Sequence, residues 1–425
     1  MRDDAKLSHK VKAQIRHFAE GVCVGLTRAV SRAISEVLFG LCKGGDVKLT
    51  CIGRCLKEKT SLKKIVERIS RNLSRKDFSR RLNRRLVEGS ASRVEADTLL
   101  VMDESDIQKR YARSMEHLGR VRDGSEGKIG QGYSCVDIVA TEVDGNDVIP
   151  LWGQLYSVRS GTCGGENAEV TWAIRDVSER LSGRGVWVMD RGFDRGRLIK
   201  ELLRLKQRFI VRLRGRRHLM RRLRKVSASE LRVPMRFAAE VTKVKNGRKR
   251  RKRVEFGQAM VRLPFSDERF RLVKVRFKGS MGAMLLLTNV QIEPTIEGLL
   301  WVVKAYLARW RVEESIRQVK QSYNLEDVRL RSYNGLRNMT ALVTACANFV
   351  ACHVGLRTKL QILARKLLDA SQRVGNIIKN FKYYALTDGL KAILQSSSAP
   401  WRERKPPPSP QLPILFPASR GLSQI

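Results

Sequence analysis

Acidic residues are in short supply: 42 Asp and Glu stand against 84 Lys and Arg, leaving a formal charge of +42. A surplus of that size opposes compaction by self-repulsion unless a polyanion neutralises it. Nucleic acid is the partner it points to, because phosphate contacts and counterion release dominate such binding. On charge alone, a ribosome-associated or membrane-surface protein stays open. Long apolar runs are also missing. The longest, Ala341 to Val354, is interrupted by Thr344, Asn348 and His353 and falls short of the ~20 residues that a membrane span needs. The opening Met1-Arg2-Asp3-Asp4 is charged and no apolar stretch follows it, so no signal peptide is expected and the chain is read as cytosolic. Of the eight cysteines only Cys51 and Cys55 lie close together. No second pair or His-x3–5-His completes a zinc set, so free thiols are expected. Gly130-Gln131-Gly132 is too short for a nucleotide-binding loop, and no phosphate-gripping lysine follows a glycine-rich stretch.

What is present is a globular composition, 42% hydrophobic and 30% charged. Residues 1–95 read as helical, with Val11, Ile15, Phe18 and Val22, then Leu62, Ile65, Ile69 and Leu73, at helical spacing. The second stretch carries Arg71, Arg75, Arg80, Arg81, Arg84 and Arg85. It suits a module that grips DNA ends, or equally a solvated amphipathic bundle. From residue 96 to 213 the pattern changes. Thr98 to Met102 reads as a buried strand ending in Asp103. Gly132–Val143 and Val148–Val158 follow as two strands joined by a turn. Helix Thr171–Leu181 and strand Gly185–Met189, ending in Asp190, come next, then helix Leu198–Leu205 and strand Phe209–Leu213. That order resembles a ribonuclease-H-like domain: an α/β fold with a mixed sheet flanked by helices. Residues 214–291 read as an inserted basic β subdomain, with the hairpin dipeptide Asn246-Gly247 at its tip. Residues 292–356 complete the catalytic domain through a long helix from Glu297 to Glu326 and an apolar helix from Leu336 to Leu356. A helical region, 357–395, and a proline-rich tail, 396–425, read as disordered, close the chain.

Each of the strands ending in Asp103 and Asp190 delivers a carboxylate at its C-terminal end, where α/β domains commonly hold ligands. One such aspartate is often only a turn cap. Two on adjacent strands repel unless a cation separates them, and hard oxygen donors suit Mg2+ or Mn2+. The third carboxylate comes from the helix. At ~100° per residue, Tyr306, Arg309, Glu313 and Lys320 share an arc of roughly 60° beside the apolar stripe, whereas Glu314 points elsewhere. An i,i+4 salt bridge between Arg309 and Glu313 is the plainer alternative.

Tyr306-x2-Arg309-x3-Glu313-x6-Lys320 resembles the YREK signature of DDE transposases of bacterial insertion sequences. Asp190-Arg191-Gly192-Phe193 and Met102-Asp103-Glu104-Ser105 resemble that family's two aspartate motifs. The resemblance covers about residues 97 to 356. It implies Asp103, Asp190 and Glu313 as catalytic ligands of two divalent metal ions, Mg2+ with Mn2+ as substitute. Tyr306, Arg309 and Lys320 would hold the DNA end. It also implies binding of terminal inverted repeats, strand cleavage and strand transfer on double-stranded DNA, by a homodimer or larger assembly, in the bacterial cytoplasm at the nucleoid. Asp106, three residues on, competes with Asp103 for the first role.

Two basic runs are the remaining candidates for DNA backbone contact: Arg212, Arg214, Arg216 and Arg217, and Arg248, Lys249, Arg250, Arg251, Lys252 and Arg253. Hairpin-forming relatives use a tryptophan in the β insertion to hold a flipped base, and none of the six tryptophans lies there. Phe237, Phe256 or Phe270 could stack a base or belong to the core. A ribonuclease-H-like nuclease without strand transfer, or an inactive DNA-binding derivative, are the competing readings.

Overall fold

The computed structural model describes residues 2–122, 127–222, 224–245, 248–368 and 381–401. Asn246-Gly247 and residues 402–425 of the tail lie outside them. Five helices lead: α1 (Arg2–Val22), α2 (Arg28–Gly44), α3 (Leu49–Leu56), α4 (Leu62–Arg75) and α5 (Ser79–Ser90). The three-four spacing of their apolar residues is used as expected. Val11, Ile15, Phe18 and Val22 are buried along α1, and Ile65, Ile69 and Leu73 along α4. Gly45 ends α2 in the left-handed region, φ 66, with its N–H donating to the Leu41 carbonyl, a conformation that glycine takes without strain.

The sheet follows: β1 (Leu99–Gln108), β2 (Gly119–Arg122), β3 (Ile129–Thr141), β4 (Val148–Tyr156), β5 (Val186–Met189) and β6 (Arg208–Arg212). Helices α6 (Glu166–Arg180) and α7 (Gly196–Arg204) fall before and after β5. Strands β7 (His218–Arg221), β8 (Arg224–Ser227), β9 (Phe237–Lys245), β10 (Arg248–Leu263), β11 (Ser266–Phe277) and β12 (Ala283–Thr288) come next. Among the described residues the sheet runs β2-β3-β1-β5-β6-β12-β11-β10-β7-β8, with β4 also on β3 and β9 on β10. β1, β5 and β6 are parallel and β3 is antiparallel to β1. This β4-β3-β1-β5-β6 arrangement is the ribonuclease-H-like mixed sheet. The strands after residue 214 do not form a sheet of their own. β12 pairs antiparallel with β6 and carries the same sheet onward.

Strand alternation sorts the core into two layers. Leu99, Val101, Val186, Val188 and Ile210 join one cluster with α1 to α5 and the helices that close the chain. Leu100, Met102, Trp187, Met189 and Val211 join the other, with α6 and α7. Those closing helices are α8 (Ile296–Leu307), α9 (Trp310–Ser322), α10 (Tyr333–Asn348), α11 (Leu356–Leu368) and the helix Tyr383–Gln395. The N-terminal helices are therefore part of this core. Asn338 of α10 makes the seam, accepting from the Phe78 N–H at 2.9 Å and donating to the Leu73 and Lys76 carbonyls at 2.8 Å.

Three expectations need correction. The single helix from Glu297 to Glu326 is two helices, α8 and α9, separated at Ala308 and Arg309. There the Arg309, Arg311 and Val312 N–H groups reach back three residues rather than four, tightening one turn without leaving helical dihedrals. Strand β1 runs five residues beyond Asp103, because β3 keeps pairing with it from Glu104↔Val136 to Gln108↔Gly132. The apolar helix ends at Asn348 in a wide π turn, Phe349–His353. Among the described residues no single helix is long and apolar enough to cross a membrane; all of α10 except Asn334 is buried in the core.

Candidate functional site

The parallel ladder between β1 and β5 ends at Val101↔Val188. Two residues further along the chain in each case stand Asp103, within β1, and Asp190, one residue past β5. Alternation turns both towards the layer that holds α9, and adjacent strands lie only about 4.8 Å apart. Asp103 is thus mid-strand by pairing with β3, yet sits just past the end of its pairing with β5. Asp190 also caps the short turn Arg191–Phe193, its Oδ1 accepting the Gly192 N–H at 2.6 Å. A Cβ at residue 192 would stand 2.9 Å from that oxygen, so glycine permits the close approach.

Helix α9 lies over β1, β3 and β4 and brings Glu313 to the same place. Arg309, at the helix break, links the set. Its guanidinium is 3.2 Å from Asp103 Oδ2 and hydrogen-bonds Glu313. Arg309 and Asp103 are mostly buried, at 18% and 21% side-chain exposure, while Glu313 is half exposed at 49%. The expected i,i+4 pair is therefore real, but it is one arm of a bridge that also holds Asp103. Burial pushes the Asp103 carboxyl up to about 7; Arg309 opposes this, and the Asp190 and Glu313 charges add to it. Burial works against the charge on Arg309, yet Asp103 and Glu313 hold it above its usual value. Tyr306, buried on the last turn of α8, contributes to the same field.

Strand alternation separates the neighbours of Asp103. Glu104 faces the other layer, where Arg195 Nη2 at 3.0 Å and the Tyr156 hydroxyl at 3.2 Å meet it. Asp106 accepts from Gln108 at 2.7 Å. Asp103, and not Asp106, meets Arg309. A fourth carboxylate shares the face of Asp103. Asp137 is its partner on β3 and accepts the Ser105 hydroxyl at 2.6 Å. Burial pushes Asp137 up to about 6. Its position follows from β3 register alone, which no local motif announces. Lys320 stands apart from the three carboxylates, paired with Glu326 at 3.0 Å and within the field of Asp106.

The donor chemistry of Asp103, Asp190 and Glu313 fits a hard divalent cation: three carboxylates, electrostatically coupled, with one arginine among them. In their present positions no group of three Asp, Glu, His or Cys side chains among the described residues stands close enough to hold a metal ion. Arg309 supplies the positive charge between two of them.

A second feature begins one residue after Asp190. A cleft of about 990 Å³ is lined by Arg191, Arg212, Arg214, Arg216, Lys274 and Arg276. Among the described residues none of these six is in an ion pair, whereas neighbouring Arg195 and Arg217 are. Six unpaired cations in one cleft suit a polyanion. Arg214 and Arg216 were legible as a basic run. So was Arg212; Arg191, Lys274 and Arg276 were not, because only the pairing of distant strands brings them to it. Arg217 departs from expectation: it is held by the buried Asp194 at 2.6 Å and braces the loop, with Asp194 also accepting the Arg214 N–H at 2.7 Å. Arg250 and Arg251 are exposed on the β9–β10 ribbon and do not line this cleft. The side chains of Arg248 and Lys249 lie outside the described residues. Replacing Arg214 and Arg216 together with alanine is expected to reduce the slope of log affinity against log salt by about 2, at ~0.9 for each phosphate no longer neutralised. A salt titration on duplex DNA reads this directly.

Other expected DNA contacts are engaged within the protein. Arg80 pairs with Glu169 at 3.0 Å and Arg84 with Asp176 at 3.1 Å, both across to α6, and Arg85 pairs with Glu88 at 2.8 Å. Partly exposed pairs of this kind are worth no more than about 1 kcal/mol. Phe256 and Phe270 are fully buried, and Phe237 packs on Phe256 at 5.9 Å; these are core rings. All eight cysteines are free.

Residues 155–349 match the family model described as the transposase DDE domain. The match takes in Asp190, Tyr306, Arg309, Glu313 and Lys320 and begins beyond Asp103. It supports a DDE transposase. No curated protein matches the chain. Among solved structures, the cryo-EM structure of the piggyBac transposase synaptic complex with hairpin DNA aligns at 12% identity and a TM-score of 0.39. The alignment covers 92% of this chain and 80% of that one.

Proposed function

We propose that the protein is a DDE transposase of the insertion-sequence type, which binds terminal inverted repeats and cuts and rejoins double-stranded DNA. One observation carries this reading. The strand register sets Asp103 beside Asp190 on the face that α9 covers with Glu313. In this reading Asp103, Asp190 and Glu313 hold divalent metal, Mg2+ or Mn2+. Bound there, the metal would supply Lewis acidity for in-line displacement at a phosphodiester. The chain's own groups do the rest. Arg309, buried and fixed by two carboxylates, orients Asp103 and Glu313 towards each other and presents its remaining N–H groups to the DNA end. Tyr306, buried on the last turn of α8, adds to the field on Arg309. Lys320, on the last turns of α9, offers a point charge to the terminal phosphate. The six-cation cleft leads the phosphate backbone away from Asp190. A homodimer or larger assembly on paired ends, working in the cytoplasm at the bacterial nucleoid, completes the proposal.

The test is incubation of the purified protein and Mg2+ with linear DNA carrying the element ends and a target plasmid. Joined products support the reading. Cleavage without joining replaces it with a ribonuclease-H-like nuclease, and DNA retention with neither replaces it with an inactive binding derivative. Lys320→Ala is expected to weaken retention of a DNA end about tenfold or more, since a hydrogen bond to a charged group contributes about 1.5–3 kcal/mol. Gel retardation with end-containing and end-free duplexes measures it.

A further inference from the structure

Beyond Gln108 the chain leaves β1 in a loop that carries Tyr111, whose side chain is 96% exposed. Both ends of the loop are anchored. The Lys109 ammonium, buried at 7% exposure, donates to the Val328 carbonyl at 2.7 Å and to that of Glu326. The Lys109 N–H donates to Gln131 at 2.8 Å. At the far end the Glu116 N–H donates to the Arg331 carbonyl at 3.0 Å, and its carboxylate accepts the Tyr333 N–H at 2.7 Å. Residues 110–115 therefore project from fixed points.

Tyr111 lines a groove of about 600 Å³ together with Arg113, Arg329 and Arg331. All three arginines are exposed, and among the described residues none is in an ion pair. The two acids on the groove are already neutralised: Glu326 by Lys320 at 3.0 Å and Asp327 by Lys48 at 2.5 Å. An aromatic face held open to solvent, ringed by unpaired arginines, is the combination that takes a nucleobase and its flanking phosphates. A duplex keeps its base faces stacked inside, so the ring needs a base out of the stack.

We propose that Tyr111 with Arg113, Arg329 and Arg331 is a binding surface for a single-stranded stretch of DNA, one base stacking on the tyrosine ring. The inference rests on the reading of the chain as a DNA transposase. It extends that reading to a groove whose near edge, Gln108 at the end of β1, lies about 16 Å from Asp103, the length of five strand residues at ~3.3 Å each. Lys320, joined to this groove through Glu326, stands between the two.

The test uses the full chain, a fluorescent oligo(dT) and a duplex of equal length, with binding read by anisotropy. Tyr111→Ala is expected to weaken oligo(dT) binding roughly tenfold, the loss of one base–aromatic stack, and to leave the duplex within twofold. Tyr111→Phe, which keeps the ring, is expected to bind both as the parent does. An unchanged oligo(dT) affinity for Tyr111→Ala overturns the proposal, and so does an equal loss on the duplex. Thermal unfolding of each variant checks the fold, which an exposed side chain should not affect. Cutting and joining by the parent protein is scored separately. Stacking without strand transfer leaves this surface standing while the transposase reading falls, and the reverse result removes the surface alone.

Discussion

Asp103→Ala, Asp190→Ala and Glu313→Ala are each expected to reduce strand cleavage by at least about a thousandfold while duplex binding stays within a few-fold. The size follows from the roles proposed. Removing one preorganised charge-stabilising group at a phosphoryl-type centre costs about 3–4 kcal/mol, and losing a metal ligand removes the metal's contribution with it. Binding should be spared, because in the proposed reading the affinity for DNA rests on cations elsewhere, above all the six in the cleft beside Asp190. Glu104→Ala is the informative control. Its carboxylate faces the opposite layer and is met by Arg195 and Tyr156, so cleavage should survive. Cleavage retained in any of the three alanine variants would remove that residue from the proposed centre. Loss in Glu104→Ala of the same depth would mean that the face assignment is wrong.

Asp103→Asn is expected to abolish cleavage and yet to stabilise the metal-free protein at pH 8. Burial raises the Asp103 carboxyl from 3.8 to about 7 in the folded chain, so between those pH values the folded state holds a proton that the unfolded state has released. The stability this confers is complete below about pH 4 and is lost as pH rises through about 7. At pH 8 the folded protein therefore carries an ionised, mostly buried carboxylate that Arg309 only partly offsets. Three pKa units correspond to about 4 kcal/mol; with Asp103 still 21% exposed, roughly 2 kcal/mol is the expected gain for the neutral amide. Denaturant titrations in a chelator at pH 5.5 and 8 measure it. The wild type should lose stability between these values and the Asn variant much less. Adding Mg2+ at pH 8 should restore the wild type and leave Asp103→Asn unmoved. A wild type that becomes more stable from pH 5.5 to 8 in chelator would contradict the account.

Much of the centre was legible because its parts are local. Thr98 to Met102 and Gly185 to Met189 read as buried strands from apolar runs alone, and the aspartates follow them directly. The spacing of Tyr306, Arg309, Glu313 and Lys320 survives a broken helix because Ala308 and Arg309 keep helical dihedrals. For that same reason the break itself left no trace in the periodicity. The extension of β1 past Asp103 was hidden by its polar Glu104-Ser105-Asp106, which reads as a loop until β3 is known to pair with it. The cleft was half visible: Arg212, Arg214 and Arg216 lie in one run, but Arg191, Lys274 and Arg276 arrive from elements far apart in the chain. Arg80, Arg84 and Arg217 looked like DNA contacts by type; which carboxylate each would meet is tertiary information. The new sheet edge illustrates this too, since nothing in residues 214–291 announces that β12 will pair with β6.

The helical layer on the Asp103 side of the sheet joins residues 385 apart in the sequence. Lys12 reaches the Ser397 hydroxyl at 3.0 Å, Arg16 reaches the Trp401 carbonyl at 2.8 Å, and the Trp401 ring stacks on Phe39 at 4.3 Å between centroids. During synthesis α1 and α2 therefore wait, with an apolar face uncovered, until the residues around Trp401 have left the ribosome. Contacts of such sequence separation are slow to form and expose surface to aggregation in the interval. The arginines that stud α4 and α5 give that waiting segment like charge, which keeps nascent copies apart until the last helix arrives.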